Sequence, residues 1–251
     1  MIEVFSMNSY EGMRILALVR DGDYAHAGEE EAIELAMKHT VKSPDNLIVD
    51  AGCGRGGTAD YLHRNGWGTV VGLDIEPSSI EFACQTYPNE KFFVCDVCHV
   101  DKAIDARPDV ICMFNVYYCL PSQPRGLRSL LKISKPGTEM VIFDHVDRGD
   151  YHKEPLMDAG EPFLLNPPKL SAIPAILEAN GWMVTEIEEI HSSYIQWYTA
   201  FVSRIEAKRG EIIAMADEVG YDHVHRLYQG LLDAALTQKL GAAIIRATPK
   251  R

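Results

Sequence analysis

A glycine-rich segment, VDAGCGRGG (49–57), has the composition of a loop that binds an anionic group. Gly52, Gly54, Gly56 and Gly57 give it both the G-x-G-x-G and the G-x-G-x-x-G spacing. Glycines allow the backbone to turn tightly and to approach a ligand closely. A helix that starts directly after such a turn favours negative charge at its N-terminus. The pattern alone is weak evidence, because a tight strand-to-helix turn without a ligand would look the same.

Three carboxylates surround this segment and narrow the kind of ligand. Asp74 ends the next apolar run, 22 residues after Gly52, where a carboxylate can accept both hydroxyls of a ribose. Asp96 ends the following run and could accept the adenine amino group, while the Val97 N–H could meet a ring nitrogen. Asp50 directly precedes the loop, where the ammonium of a methionine moiety would lie. An adenosine-type ligand is indicated, and both S-adenosylmethionine and NAD remain open.

The segment CDVCH contains Cys95, Cys98 and His99 in the C-x-x-C-H spacing of covalent haem attachment. Haem is attached on the exported side of a membrane, and the first residues lack a basic segment followed by an apolar run. We therefore expect free thiols that pack as small apolar groups on either side of Asp96. A zinc half-site is a remote alternative, because a matching second pair of cysteines is missing.

The elements that would position these residues alternate regularly. Five apolar runs, typical of buried parallel strands, lie at 46–52, 69–75, 91–96, 108–115 and 138–145. Amphipathic segments separate them, which predicts a doubly wound α/β sheet. Two more strands are predicted at 181–190 and 240–250. We predict one domain over 1–251, with a helical cap (1–45), a Rossmann-like core (46–190), a helical lid insertion (191–239) and a final strand (240–251).

These motifs together resemble the class I S-adenosylmethionine-dependent methyltransferases. The resemblance runs in order through LIVDAGCGRGG, VVGLDIEPSSI, FFVCDV, PDVICMFNVYYCL and LKISKPGTEMVIFDHV. It implies a seven-stranded, mostly parallel sheet with an antiparallel last strand, and S-adenosylmethionine as cofactor with S-adenosylhomocysteine as product. The implied cofactor-binding residues are Asp50, Gly52, Cys53, Gly54, Gly56, Asp74, Ile75, Asp96, Val97 and Asn115.

A fainter resemblance concerns GDYAHAGEEEAI (22–33) and the helical insertion, which are similar to phosphoethanolamine and other small-amine methyltransferases. In that group a Tyr-x-x-x-Gly loop caps the cofactor, and Tyr24 with Gly28 fits it. The tyrosine there pairs with a histidine after the fourth strand, where this chain has Cys119. The dyad is broken, so we expect a related small amine or small natural product rather than a phosphobase.

Aromatic side chains supply a candidate wall for the acceptor pocket: Tyr117, Tyr118, Tyr151, Tyr194, Trp197 and Tyr198. Their faces could stabilise an ammonium by cation–π attraction, although each could equally pack the insertion helices. We name Tyr118, Cys119, Tyr194 and Trp197 as substrate residues. Tyr24 and His145 are the catalytic candidates, and His26 is a second possible base.

Composition excludes some function classes. The formal net charge of −12 and the scattered Lys and Arg argue against a nucleic-acid partner. The sequence lacks a run of about 18 apolar residues, so a membrane span is not expected, and a cytoplasmic location is predicted.

An NAD-dependent oxidoreductase would need a catalytic Tyr-x-x-x-Lys after the fourth strand, where the chain has YYCLPSQPR. A cofactor-binding protein without catalysis remains the other alternative. Acceptor identity, N- or O-methylation and oligomeric state stay open, and a metal ion is not expected.

Overall fold

A seven-stranded sheet organises the computed structural model, which describes residues 5–7, 9–149 and 151–250. The strands are β1 (Leu47–Ala51), β2 (Thr69–Asp74), β3 (Lys91–Val94), β4 (Val110–Phe114), β5 (Glu139–Asp147), β6 (Met157–Asp158), β7 (Glu161–Pro162), β8 (Trp182–Glu189) and β9 (Leu240–Pro249). The helices are α1 (Tyr10–Arg20), α2 (Glu29–Met37), α3 (Gly57–Arg64), α4 (Pro77–Thr86), α5 (Val100–Ala103), α6 (Gln123–Ile133), α7 (Ile173–Ala179), α8 (His191–Ala207) and α9 (Arg209–Leu236).

The strand order is β3-β2-β1-β4-β5-β9-β8. Neighbouring strands among β1 to β5 pair in parallel, and β9 runs antiparallel to both β5 and β8. The predicted seven-stranded sheet with an antiparallel last strand is thereby confirmed. The order reverses between β1 and β4, and such a switch point opens a ligand crevice at the carboxyl ends of the strands.

The core lies on both faces of the sheet. Alternate residues of the central strands point to opposite faces, so Ile48 joins one apolar cluster and Val49 joins the other. Helices α1, α2, α3, α8 and α9 contribute to the first cluster, whereas α6 and α7 contribute to the second. Burial on both faces explains why the central strands are continuously apolar.

The long segment after β5 crosses the carboxyl edge of the sheet. It contains the short β6–β7 hairpin, which the sequence did not reveal. The Asn166 N–H donates to the Tyr118 carbonyl at 2.8 Å, and the Asp147 N–H donates to the Pro168 carbonyl at 2.9 Å. These bonds fasten the segment across the ends of β4 and β5, beside the predicted site.

Helix α9 contains an interruption at Ala216 and Asp217, whose dihedral angles are not helical. The Asp217 side chain accepts a 3.0 Å hydrogen bond from the Gly220 N–H. This is the geometry of an N-cap, so a new helical stretch starts after Asp217. The following part of α9 packs Tyr228 and Leu231 toward α8 and the site.

Candidate active site

The glycine loop lies at the carboxyl end of β1 and is tied to the end of β2. The backbone N–H groups of Gly52 and Cys53 both donate to the Leu73 carbonyl, at 2.6 and 2.9 Å. Gly52 has a φ of +84°, and a Cβ there would collide with the Val116 side chain. Only glycine meets both requirements at this position.

Asp74 stands beside this loop at the end of β2, as predicted. Its Oδ2 accepts a 2.8 Å hydrogen bond from the Gly54 N–H, and its Oδ1 accepts one of 2.9 Å from the Glu76 N–H. Burial raises the pKa of the carboxyl, while these backbone donors act in the opposite direction. The neighbouring Ile75 side chain is 66% exposed, so it lies at an open edge of the cleft.

Asp50 lies beneath the glycine loop and is almost fully buried. Its Oδ1 receives a weak contact of 3.7 Å from the Cys112 thiol, whereas its Oδ2 has no partner among the described residues. Burial raises the pKa of Asp50 to about 7; the Cys112 contact opposes this shift and the charge of Asp74 adds to it. A buried carboxylate oxygen without a donor is costly, so this atom fits the ammonium of a methionine moiety.

Asp96 follows β3 and starts the short 3₁₀ turn Val97–His99. Its Oδ1 accepts from the Cys98 N–H at 2.8 Å, and its Oδ2 lies 3.1 Å from the His99 Nδ1. Both carboxylate oxygens therefore hold the local turn. Whether the carboxylate also reads adenine stays a prediction.

The C-x-x-C-H cysteines are buried free thiols. The thiol of Cys95 lies 3.3 Å from the Asp96 carbonyl, and that of Cys98 lies 3.6 Å from the Ser122 carbonyl. Burial raises the pKa of both. Within residues 5–7, 9–149 and 151–250, no group of three His, Cys, Asp or Glu side chains is arranged to hold a metal ion.

The segment between α1 and α2 lies directly on the glycine loop. Asp23 accepts a hydrogen bond from the Arg55 Nε at 2.8 Å and one from the Tyr87 hydroxyl at 2.7 Å. A Cβ on Gly57 would come within 2.7 Å of the Asp23 backbone. Asp23 could not be predicted from the sequence, because its partners come from two distant elements.

Tyr24 is half-buried in this segment. Its hydroxyl donates to Glu30 at 3.0 Å, and its ring meets the His26 ring edge-on at 5.9 Å. Burial and the Glu30 carboxylate raise the pKa of the phenol, so it is protonated at neutral pH. The hydroxyl thus contacts the start of α2, and its contact with cofactor or acceptor stays a prediction.

His26 is buried, and both of its ring nitrogens are engaged. Nε2 lies 2.9 Å from the Thr58 hydroxyl, and Nδ1 lies 3.2 Å from the Ala27 carbonyl. Burial, helped by the charge of Arg20, lowers its pKa to about 3, although the Ala27 bond opposes the shift. His26 is therefore a neutral structural residue rather than a base with a free nitrogen.

His145, in contrast, lies in a polar cluster at the end of β5. The Asn115 side-chain amide donates to the His145 Nδ1 at 2.8 Å, and the His145 Nε2 lies 2.7 Å from the Tyr198 hydroxyl. The Tyr194 hydroxyl lies 3.0 Å from the same Asn115 amide nitrogen. With Nδ1 accepting, the proton resides on Nε2 and points to Tyr198.

Asp144 lies next to this cluster and is fully buried. One carboxylate oxygen accepts the His145 N–H at 2.7 Å, and the other accepts the Tyr118 N–H at 3.1 Å. The carboxylate thus fixes the backbone on both sides of the cluster. Its proximity to Tyr118 depends on the β4–β5 register, which sequence spacing does not give.

A small cavity opens between this cluster, the segment before α2 and helix α9. Its lining consists of Arg20, Ala25, Ala27, Asn115, Tyr118, His145, Phe163, Leu164, Tyr198, Tyr228 and Leu231. Asn115, Tyr118 and His145 were predicted as site residues. Arg20 and Tyr228 were missed, because helical periodicity alone does not show which buried residue faces a cavity.

Three predicted substrate residues, Trp197, Cys119 and Tyr194, are not part of the cavity lining, although the Tyr194 hydroxyl contacts Asn115. Trp197 packs against Gly28, where a Cβ would come within 2.6 Å of its ring, and its indole N–H donates to Glu31 at 3.0 Å. The Cys119 thiol donates to the Val116 carbonyl at 2.9 Å.

Comparison with known proteins agrees with this geometry. A family described as a methyltransferase domain matches residues 24–199. The chain belongs to the class I S-adenosylmethionine-dependent methyltransferases. The predicted family and the prediction of an enzyme are confirmed.

Two curated relatives of this methyltransferase are similar over part of its length. Phosphoethanolamine N-methyltransferase 1 of Zea mays is 30% identical over 138 residues, which are 53% of this chain and 27% of the relative. Methyltransferase GfsG of Streptomyces halstedii is 27% identical over 131 residues, 50% of this chain and 46% of the relative. The matches span less than half the length of these relatives.

A solved structure shares the fold of the methyltransferase. Phosphoethanolamine N-methyltransferase 2 of Haemonchus contortus, in complex with phosphomonomethylethanolamine and S-adenosylhomocysteine, superposes with a TM-score of 0.84 at 15% identity. The superposition covers 98% of this chain and 58% of that one. Separately, the described helices include none long and apolar enough to cross a membrane.

Proposed function

We propose that this methyltransferase transfers a methyl group from S-adenosylmethionine to a nitrogen or oxygen of a small molecule bound in the His145 cavity. One observation carries the proposal: Ala25 lines the cavity and also lies 3.6 Å from the Cβ position of Gly54 in the glycine loop. A single residue thus separates the two sites. Methyl transfer needs this proximity, because the acceptor must meet the sulfonium in line.

The described residues fit the cofactor in kind and position. Asp74 would bind the ribose, Asp96 and the Val97 N–H the adenine, and the partnerless Oδ2 of Asp50 the ammonium. When bound, the cofactor supplies a methyl group already activated by the sulfonium. The protein then needs mainly to position the acceptor and exclude water, which can contribute about 7–11 kcal/mol.

The chain's own part in the reaction centres on His145. Asn115 and Tyr198 hold both ring nitrogens, and the Asp144 carboxylate fixes the backbone N–H. In this arrangement His145 positions an acceptor heteroatom through the Tyr198 hydroxyl. It does not take a proton along this path, because Nε2 already carries one and Nδ1 accepts from Asn115. An acceptor that enters unprotonated needs the positioning alone.

Cys119 does not replace the histidine found at its place in phosphoethanolamine methyltransferases. Although Cys119 is exposed as a residue, desolvation of its thiol, together with the charges of Asp144 and Asp74, raises the thiol pKa above its usual value. The thiol is therefore protonated at neutral pH and does not act as a base. A role of Tyr24 in closing the site would then be one of shape and hydrogen bonding.

Calorimetry and a label-transfer assay test the proposal together. The protein should bind S-adenosylhomocysteine and not NADH, and it should move labelled methyl from S-adenosylmethionine onto small molecules of a metabolite extract. His145→Gln should lower turnover without changing S-adenosylhomocysteine affinity. Cofactor binding without any label transfer would instead favour a binding protein without catalysis, and preferential NADH binding would contradict the proposal.

A further inference from the structure

Arg20, the last residue of α1, brings a buried positive charge to the acceptor cavity. Its side chain is 2% exposed, and its guanidinium carbon lies 4.2 Å from the centroid of the Phe201 ring. It lines the cavity together with His145 and Tyr228. Its Nε is buried and has no hydrogen-bond partner in the described part of the chain.

The carboxylate that neutralises Arg20 is shared. Glu29 Oε1 accepts from the Arg20 Nη1 at 2.8 Å and from the Arg204 Nη2 at 2.8 Å. Two guanidinium groups thus meet one carboxylate. Buried charge is costly unless it is paired, so this arrangement favours an additional anion.

The cavity wall does not supply that anion. None of the described residues that line it is an Asp or a Glu. Asp144 lies behind the wall, where both of its oxygens hold backbone N–H groups. Asp158, near Tyr228, accepts from the His223 Nε2 at 2.7 Å and from the Met7 N–H at 3.0 Å.

The tyrosines of the cavity wall could also bind an anion through their hydroxyl groups. Burial raises the pKa of Tyr228 to about 12, while the charge of Arg20 and a hydrogen bond between Arg20 and the Tyr228 hydroxyl act in the opposite direction. Burial also raises the pKa of Tyr118. Both hydroxyls therefore keep their protons at neutral pH and can donate a hydrogen bond.

We propose that Arg20 recognises an oxyanion, a carboxylate or a phosphate, on the methyl acceptor. The inference rests on the proposed function, since it takes the His145 cavity to be the acceptor site. The acceptor is then an anion or a zwitterion rather than a simple ammonium cation, which the Arg20 charge would repel. Its oxyanion lies at the α1 side, and its methylated atom lies toward His145 and the glycine loop.

Calorimetry at saturating S-adenosylhomocysteine tests this with three probes of similar size: benzoate, phenyl phosphate and uncharged benzamide. The wild type should bind at least one oxyanion more tightly than benzamide, by a factor of about ten or more. A factor of this size is the effect of one charged hydrogen bond. The comparison of benzoate with phenyl phosphate separates carboxylate from phosphate recognition. Arg20→Met should abolish the preference and leave S-adenosylhomocysteine affinity unchanged.

Two variants serve as controls around the same carboxylate. Arg204→Met removes the other partner of Glu29 and should keep the oxyanion preference. Glu29→Gln removes the carboxylate that competes for Arg20, so it should tighten oxyanion binding without affecting benzamide. This second variant keeps the test decisive even if Arg20→Met does not fold.

Several outcomes would overturn the inference. The wild type could bind benzamide and both oxyanions with equal affinity, or it could bind none of the three probes. The third such outcome is an oxyanion affinity that does not change in Glu29→Gln. If the wild type does not bind S-adenosylhomocysteine, that result would instead contradict the proposed function itself. The two failures are therefore distinguishable.

Discussion

The Nε of Arg55 donates a 2.8 Å hydrogen bond to the Oδ1 of Asp23, and this bond joins the glycine loop to the segment between α1 and α2. Both side chains are largely buried, at 9% and 16% exposure, so solvent screens the pair only weakly. The Arg55 guanidinium also lies 3.5 Å from the centroid of the Phe82 ring. The segment that contains Tyr24 is thus held against the cofactor site by the loop itself.

We predict that residues 20–30 close over the cofactor. Limited proteolysis should cut near this segment more slowly when S-adenosylhomocysteine is present, because a closed loop excludes protease. Asp23→Ala and Tyr24→Ala should speed cleavage and weaken cofactor retention, whereas Tyr24→Phe should lower turnover modestly. Equal cleavage rates with and without the cofactor would show that Tyr24 is only a packing residue.

We predict that Asp74 binds the ribose. Asp74→Ala should weaken S-adenosylhomocysteine binding by about tenfold or more, because charged hydrogen bonds contribute about 1.5–3 kcal/mol each. The fold should survive, since the residue lies at a strand end beside the cleft. Asp105→Ala, which changes an exposed carboxylate away from the site, is the matched control for calorimetry. Unchanged affinity in a folded Asp74→Ala protein would refute the assignment.

We predict that Asp96, not its neighbouring cysteines, selects adenine. Asp96→Ala should weaken cofactor binding, because the carboxylate both accepts the amino group and holds the Val97–His99 turn. The double variant Cys95→Ser with Cys98→Ser should leave affinity within a few-fold, since each thiol makes only weak contacts with carbonyl groups. A positive haem stain on protein from its native host would count against this interpretation.

We predict that cofactor binding depends on pH through Asp50. Its pKa is raised to about 7 in the folded protein, so the group takes up a proton on folding. Its contribution to the free energy of unfolding therefore falls as pH rises from about 4 to about 7 and is constant above that.

The cofactor ammonium prefers the ionised carboxylate, so binding should follow the opposite trend. S-adenosylhomocysteine affinity should rise by up to about tenfold per pH unit below pH 7 and level off above it. Calorimetry between pH 6 and 8 checks this. Asp50→Asn should remove the dependence, whereas Asp105→Asn should retain it. A flat profile for the wild type would rule out this role.

The residues of the proposed cofactor half of the site could be brought together from the sequence because they are local. The glycine loop and Asp50 are contiguous, and Asp74 and Asp96 each end an apolar run. In a parallel sheet the carboxyl ends of neighbouring strands meet at one edge, so their order along the chain is enough to bring these residues together. The same alternation of strands and helices predicts the sheet.

The cavity proposed for the acceptor was decided by tertiary structure. Arg20, Tyr198 and Tyr228 come from α1, α8 and α9, and only the packing of these helices brings them to His145. Periodicity shows that such residues are buried. It does not say whether a buried aromatic side chain faces a cavity, as Tyr198 does, or packs against a glycine, as Trp197 does against Gly28. The charge of the cavity depends on how Arg20, Arg204 and Glu29 meet across three helices, and linear order carries no information on that contact.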